Sequence, residues 1–141
     1  MSYLEDFQHN EKLRKEIADV LDVLALTCAE ASHSKGFHDD DFQLMDVVRE
    51  AKPELLPHLE NQLLQAELAR QGSEIGEAVE AVRKPGADHH LPKLSNFEVE
   101  QADTVVRVMD TCGKRSISIG TAVVEKILYN LTRERLHGKN S

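Results

Sequence analysis

Four acidic residues in the second half of the chain stand in two pairs at helical spacing. Glu74 and Glu77 are three residues apart, and Glu100 and Asp103 repeat that spacing after a gap. Residues three apart on an α-helix lie about 60° apart around its axis, so both carboxylates of a pair point the same way. Two such pairs on neighbouring helices would gather four carboxylates that repel one another. A hard divalent cation removes that repulsion, and Mg²⁺ accepts carboxylate oxygens while keeping waters and substrate phosphates as ligands.

A polar and cationic face follows near the end of the chain. Lys126, Asn130, Arg133 and His137 stand at i, i+4, i+7 and i+11 and therefore share one side of a helix. Lys and Arg neutralise phosphate oxygens, so this face opposite a carboxylate cluster suits a magnesium-bound triphosphate. Taken singly, both patterns also fit solvated helix surfaces, with the basic residues complementing the helix dipole.

Apolar residues recur at three- and four-residue steps almost throughout, which predicts an all-α helical bundle of four to five helices. The predicted helices cover about residues 11–32, 41–51, 54–84, 96–112 and 118–135. Gly36 suits the left-handed position after the first helix. Ser95 and Glu98 form a capping-box pattern at the start of the fourth. Gly113 is expected to close that helix and Ser118 to cap the last one.

Two glycines interrupt the long third predicted helix. Gly72 and Gly76 each weaken a helix interior by about 1 kcal/mol relative to alanine, so a kink is allowed there. Gly76 lies between Glu74 and Glu77, the two acids of the carboxylate pair on this helix. The geometry of the helix at that point therefore bears directly on the proposed metal site.

Length and composition bound the class of protein. The 141 residues predict a single domain, residues 1–141, and the net charge of −8 argues against binding a nucleic acid polymer. No apolar run approaches the ~20 residues that a membrane-spanning helix needs, and the start of the chain carries acids where a secretory signal carries basic residues. The two isolated cysteines, Cys28 and Cys112, are typical of a reducing cytoplasm, and Cys112 is expected to serve in packing.

The order of these motifs resembles a known family. Glu74-Ile-Gly-Glu77 followed by Glu100-Gln-Ala-Asp103 is similar to the ExxE…ExxD signature of the MazG-like all-α NTP pyrophosphohydrolases. The segment from Lys126 to Asn130 resembles the K-x-x-x-N of the C-terminal helix in that family. The resemblance covers about residues 73–139, with a weaker echo at 35–39.

The resemblance implies a Mg²⁺-dependent enzyme that cleaves a nucleoside or deoxynucleoside triphosphate to the monophosphate and pyrophosphate. By position, the metal-binding carboxylates would be Glu74, Glu77, Glu100 and Asp103. The resemblance does not identify the general base, and Glu77 is the residue that we expect in that role.

The same resemblance implies a function for the cationic face and an oligomeric state for the protein. Lys126 and Asn130 would contact the nucleotide phosphates or the metal shell, Lys126 with a catalytic role, and Arg133 would assist. A homodimer or homotetramer is expected, with sites that borrow residues across the interface. Two alternatives stay open at this point: a nucleotide-binding module with negligible turnover, and a structural helical interaction protein.

Overall fold

The computed structural model describes residues 2–134, and within them the chain is all-α, as the apolar spacing predicts. Its elements are α1 (Tyr3–His9), α2 (Glu11–Ser34), α3 (Asp39–Ala51), a short 3-10 turn (Pro53–Leu55), α4 (Leu56–Arg83), α5 (Asn96–Lys114) and α6 (Ile119–Leu131). The described part thus has six α-helices where four to five were expected. The additional one is α1, which a capping box starts: Ser2 Oγ accepts from the Glu5 amide at 3.2 Å, and the Glu5 carboxylate accepts from the Ser2 amide at 2.7 Å.

The core of the molecule lies where α5 crosses α2. Ala25 and Cys28 of α2 pack there against Met109 and Cys112 of α5. The expectation that Cys112 serves in packing is therefore confirmed. On its other side α5 packs along α4, while α6 packs on α2 and α3 packs on α4. Because α5 lies between α2 and α4, it places its own acids beside those of α4.

Two glycines allow the helices of this core to approach closely. A Cβ atom at Gly113 would lie 2.1 Å from the carbonyl oxygen of Ala25, and one at Gly120 would lie 2.0 Å from that of Ala18. The prediction that Gly113 closes its helix is wrong, because Gly113 lies inside α5 and serves the contact with α2. The helix continues to Lys114.

Helix ends follow the sequence in some places and tertiary contacts in others. Gly36 has the expected left-handed conformation (φ 78°), and Ser95 forms the expected capping box with Glu98. Ser118 stands at the N-cap position of α6 but makes no capping hydrogen bond. Asp22 of α2 replaces it, since its Oδ1 accepts from the Gly120 amide at 2.7 Å.

The long helix α4 runs without a break through both of its glycines. The kink that Gly72 and Gly76 allow does not divide it. The last helix ends at Leu131, four residues before the predicted end, so Arg133 lies beyond it. His137 lies outside the described residues.

A buried ionic cluster joins α3 to α4 and α5. Lys114 Nζ donates to Glu67 and to Asp41, each at 2.9 Å, and Arg115 donates to Glu67 at 3.0 Å. Burial alone would raise the pKa of Glu67, but the hydrogen bonds from Arg115 and Lys114 outweigh it and hold the pKa below its ordinary value. The cluster fixes α3, and with it Phe37 and His38, at one end of the α4–α5 pair.

The core is small for a chain of this length. None of the large side chains in residues 2–134 is completely buried, whereas many large apolar side chains are exposed. No helix in the same range is long and apolar enough to cross a membrane.

Candidate functional site

Three of the four predicted metal ligands meet where α4 packs along α5. Glu74, Glu77 and Glu100 each contribute a carboxylate oxygen, and these oxygens lie within 4.8 Å of one another. Two ligand oxygens on opposite sides of a bound Mg²⁺ are about 4.2 Å apart, so a separation within 4.8 Å is close to that of ligands of one ion. An all-oxygen, negatively charged donor set is the kind that a hard divalent cation prefers.

Asp103, the fourth predicted ligand, stands beside this cluster. It lines a cleft of about 410 Å³ together with Glu74 and Glu77. Asp103 follows Glu100 by one helical turn on α5, so both face α4. The structure therefore brings all four predicted acids to one region, with three of them in close contact.

The carboxylates of this region act on one another electrostatically. Burial, and then the negative charges of Glu77, Asp103 and Glu74, raise the pKa of Glu100 above its ordinary value. Asp88, in the loop between α4 and α5, adds to the same effect. The negative charges around Glu100 therefore act against its ionisation.

The side chain of Arg107, for which the sequence predicted no role, forms an ion pair with Glu74 of the cluster. Arg107 Nε donates to Glu74 Oε1 at 2.9 Å, and the Glu74 side chain is only 12% exposed. The ion pair fixes the Glu74 carboxylate and neutralises part of its charge. Arg107 follows Asp103 by four residues on α5, and that spacing predicts that it extends the stripe of Glu100 and Asp103.

A second cleft of about 370 Å³ opens on the other side of Glu77. Its polar lining consists of Glu77, Glu80, Lys84, Asn96 and Glu100. Glu77 lines both clefts and is exposed to solvent. It is therefore the acid of the cluster that solvent and a ligand reach most directly.

Hydrogen bonds order the loop beside this second cleft. Asn96 Nδ2 donates to the Lys84 carbonyl at 2.9 Å, and Asn96 Oδ1 accepts from the Gly86 amide at 3.2 Å. Asp88 Oδ1 accepts from the amides of His90 and Leu91. Lys84 and Asn96 are twelve residues apart and lie on no common helix face, so no spacing pattern could have predicted that they meet.

The predicted phosphate-binding residues lie on α6 and, in the case of Arg133, just beyond its end. Lys126 Nζ lies 5.0 Å from the centroid of the Tyr129 ring, and the Arg133 guanidinium lies 6.0 Å from it. Among the described residues, neither carboxylate cleft is lined by Lys126, Asn130 or Arg133. Within residues 2–134, the cations that line the clefts are Arg107 and Lys84.

No family model, no curated protein and no solved structure matches this chain. The resemblance to the MazG-like pyrophosphohydrolases consequently rests on the motifs and their order.

Proposed function

We propose that the protein is a Mg²⁺-dependent nucleoside triphosphate pyrophosphohydrolase of the MazG-like type, acting on free nucleotides or deoxynucleotides. The observation that carries this proposal is the meeting of Glu74, Glu77 and Glu100 within 4.8 Å, with Asp103 beside them. The reaction would release a nucleoside monophosphate and pyrophosphate. A bound Mg²⁺ would neutralise charge on the phosphate oxygens during this cleavage.

Glu77 is the residue that we assign as general base. Its side chain is exposed and lines both clefts, and no salt bridge engages it among residues 2–134. A water oxygen would bond to the α-phosphorus as the bond to the bridging oxygen breaks, and Glu77 would accept the proton of that water. Pyrophosphate would leave with the bridging oxygen. Glu74, held by Arg107, would stay fixed during the step.

Phosphate binding is assigned to two groups of residues. Arg107 and Lys84 line the carboxylate clefts of the same chain. We propose Lys126, Asn130 and Arg133 as further phosphate contacts, with a catalytic role for Lys126. In a homodimer or homotetramer these three residues would serve the cleft of a second copy.

The activity is tested by incubating the protein with each deoxynucleoside triphosphate and Mg²⁺ and identifying the products by chromatography. We expect monophosphate and pyrophosphate in equal amounts. Release of single orthophosphates would contradict the proposed bond cleavage.

We expect Glu77→Gln and Asp103→Asn to abolish turnover while the helical circular dichroism signal remains. Glu60→Gln, which removes an exposed carboxylate from the same helix as Glu77, is the matched control and should retain activity.

One observation favours a second candidate, a structural helical interaction protein. Many apolar side chains on the helices are exposed, such as Val82 at 64% and Val20 at 66%. This candidate predicts no change in melting temperature on adding Mg²⁺. A nucleotide-binding module with negligible turnover would instead be stabilised by magnesium and nucleotide together without forming product.

A further inference from the structure

Helix α3 is docked on the bundle with little apolar burial. None of its residues is buried, whereas α2, α4, α5 and α6 each contribute buried residues. Two of its apolar side chains, Leu44 and Val47, are 46% and 61% exposed. Phe42 lines two clefts, one of about 280 Å³ toward α4 and one of about 340 Å³ toward α2. Because tertiary packing of an apolar face supplies most of what holds a helix in place, α3 is weakly held by such packing.

Polar contacts to α5 hold this helix on the bundle. His38, at its N-cap, has its Nε2 3.0 Å from Asp110 Oδ1 and 3.3 Å from Asp110 Oδ2. Lys114 Nζ donates to Asp41 Oδ2 at 2.9 Å and lies 5.5 Å from the centroid of the Phe42 ring. The Lys114 side chain is only 7% exposed, so its charge depends on these partners while α3 is docked.

Undocking of α3 would leave no buried charge without a partner. Glu67 of α4 accepts from Lys114 at 2.9 Å and from Arg115 at 3.0 Å, and neither contact involves α3. Once α3 has moved away, water reaches Lys114 and replaces Asp41 as its partner. The contacts that hold α3 are therefore of the kind that solvent can replace, and the α4–α5 pair keeps its own ion pairs.

Both ends of α3 are suited to act as hinges. Gly36, in the turn before it, has a φ of 78°, in the left-handed region that glycine adopts readily. Lys52, after it, has a φ of −151° and a ψ of 70°, and Pro53 follows. A few residues at the ends of an element can absorb the backbone rotations of a hinge movement.

We infer that residues 38–51 form a strap that docks on and leaves the bundle as one unit, with Lys114 as its latch and hinges in the turns that flank it. This inference goes beyond the proposed function and does not depend on the proposed reaction. Phe37, the residue before the strap, lines the cleft of about 410 Å³ beside the carboxylate cluster. Movement of the strap would therefore move one wall of that cleft and change the access of a ligand to it.

The strap is tested by hydrogen exchange of the full chain, followed by mass spectrometry of its peptides. We expect the amides of residues 39–51 to exchange at one common rate that is faster than the rates in α2 and α5. Asp41→Ala removes the partner of the latch. Since a hydrogen bond between charged groups is among the stronger ones, this variant should speed exchange in residues 39–51 about tenfold or more and leave α2 and α5 unchanged.

Asp40→Ala is the matched control. Asp40 is exposed, lies in the same first turn of α3, and is engaged by no hydrogen bond or ion pair among residues 2–134. The variant removes the same charge from the helix N-terminus, so exchange in residues 39–51 should stay within about threefold of the wild type.

Exchange of residues 39–51 at the rate of α5 in the wild type would overturn the inference, since α3 would then leave only when the whole fold opens. Exchange that advances from the ends of α3 inward would also overturn it, because the helix would fray instead of undocking. Equal acceleration in Asp41→Ala and Asp40→Ala would overturn the role of Lys114 as the latch. A strap with the expected exchange, in a protein that releases no pyrophosphate, would support the inference and contradict the proposed function alone.

Discussion

The ionised Glu100 side chain lowers the stability of the folded protein when no cation is bound. Burial and the charges of Glu77, Asp103 and Glu74 raise its pKa, so the folded chain binds this proton more tightly than the unfolded chain does. The stability that this proton contributes is present at low pH and is lost as pH rises through the raised pKa. At neutral pH the ionised Glu100 therefore destabilises the metal-free fold.

We predict that Glu100→Gln raises the melting temperature of the metal-free protein at neutral pH. The gain should shrink as pH falls through the raised pKa and vanish below the ordinary pKa of glutamate, where Glu100 is protonated in both folded and unfolded chains. With Mg²⁺ at 100 times its dissociation constant the order should reverse, because the wild type gains about 2.7 kcal/mol from binding. Thermal unfolding followed by circular dichroism measures both effects. Glu60→Gln provides the comparison, and a variant less stable than the wild type without metal would contradict the prediction.

Residue spacing could predict the carboxylate cluster but not its surroundings. Glu74 and Glu77 share a helix face wherever that helix packs, so the i, i+3 pattern was sufficient to pair them. Lys84 and Asn96 meet beside Glu77 only because the loop between α4 and α5 turns the chain back on itself. Their positions depend on tertiary contacts that leave no periodic signal in the sequence.

Among the elements, α2 and α5 depend on the absence of a side chain at Gly113. The helix axes approach so closely there that a Cβ atom would lie 2.1 Å from the Ala25 carbonyl oxygen. Backbone on the facing helix cannot yield as a flexible side chain can, so the helices would have to separate. That separation would open the core around Cys28 and Cys112.

We predict that Gly113→Ala destabilises the fold by about 3 kcal/mol, the upper part of the usual range for overpacking. Gly72→Ala is the matched control, because Gly72 lies inside α4 with no heavy atom within 4 Å of a Cβ placed there. It should stabilise the protein by about 0.8–1 kcal/mol through helix propensity alone. Urea unfolding of both variants gives the comparison. Equal effects of the two alanines would show that the close approach is not needed.

Element boundaries could be predicted only where the signal is local. The capping box of Ser95 and Glu98 predicts the start of α5, because the partners are three residues apart. The start of α6 depends on Asp22 of a distant helix, and the glycine at 113 serves a neighbouring helix rather than a turn. Ser2 and Glu5 form the same local pattern as the residues that start α5, so α1 was within reach of the sequence.

Across residues 2–134, many large apolar side chains remain exposed to solvent instead of packing into the core. On α4 the exposed residues Leu68, Ile75, Val79 and Val82 lie within about 60° of one another around the helix axis. Each is close to half exposed or more, with Leu68 at 52% and Val82 at 64%. An apolar helix face indicates a packing partner but does not say whether the partner belongs to the same chain. Contiguous exposed apolar surface of this kind marks association with another molecule.

We predict that the protein forms homodimers or homotetramers through this face of α4. Leu68→Glu places a charge in the face and should shift the molar mass, measured by light scattering after gel filtration, toward that of one chain. Gln62→Glu adds the same charge about 120° around the helix, at an exposed position outside the face, and should leave the mass unchanged. A monomeric wild type, or equal dissociation in both variants, would contradict the prediction. Loss of pyrophosphate release in Leu68→Glu, with Mn²⁺ binding retained, would indicate that α6 of one copy completes the site of another, since among the described residues Lys126 lines neither carboxylate cleft of its own chain.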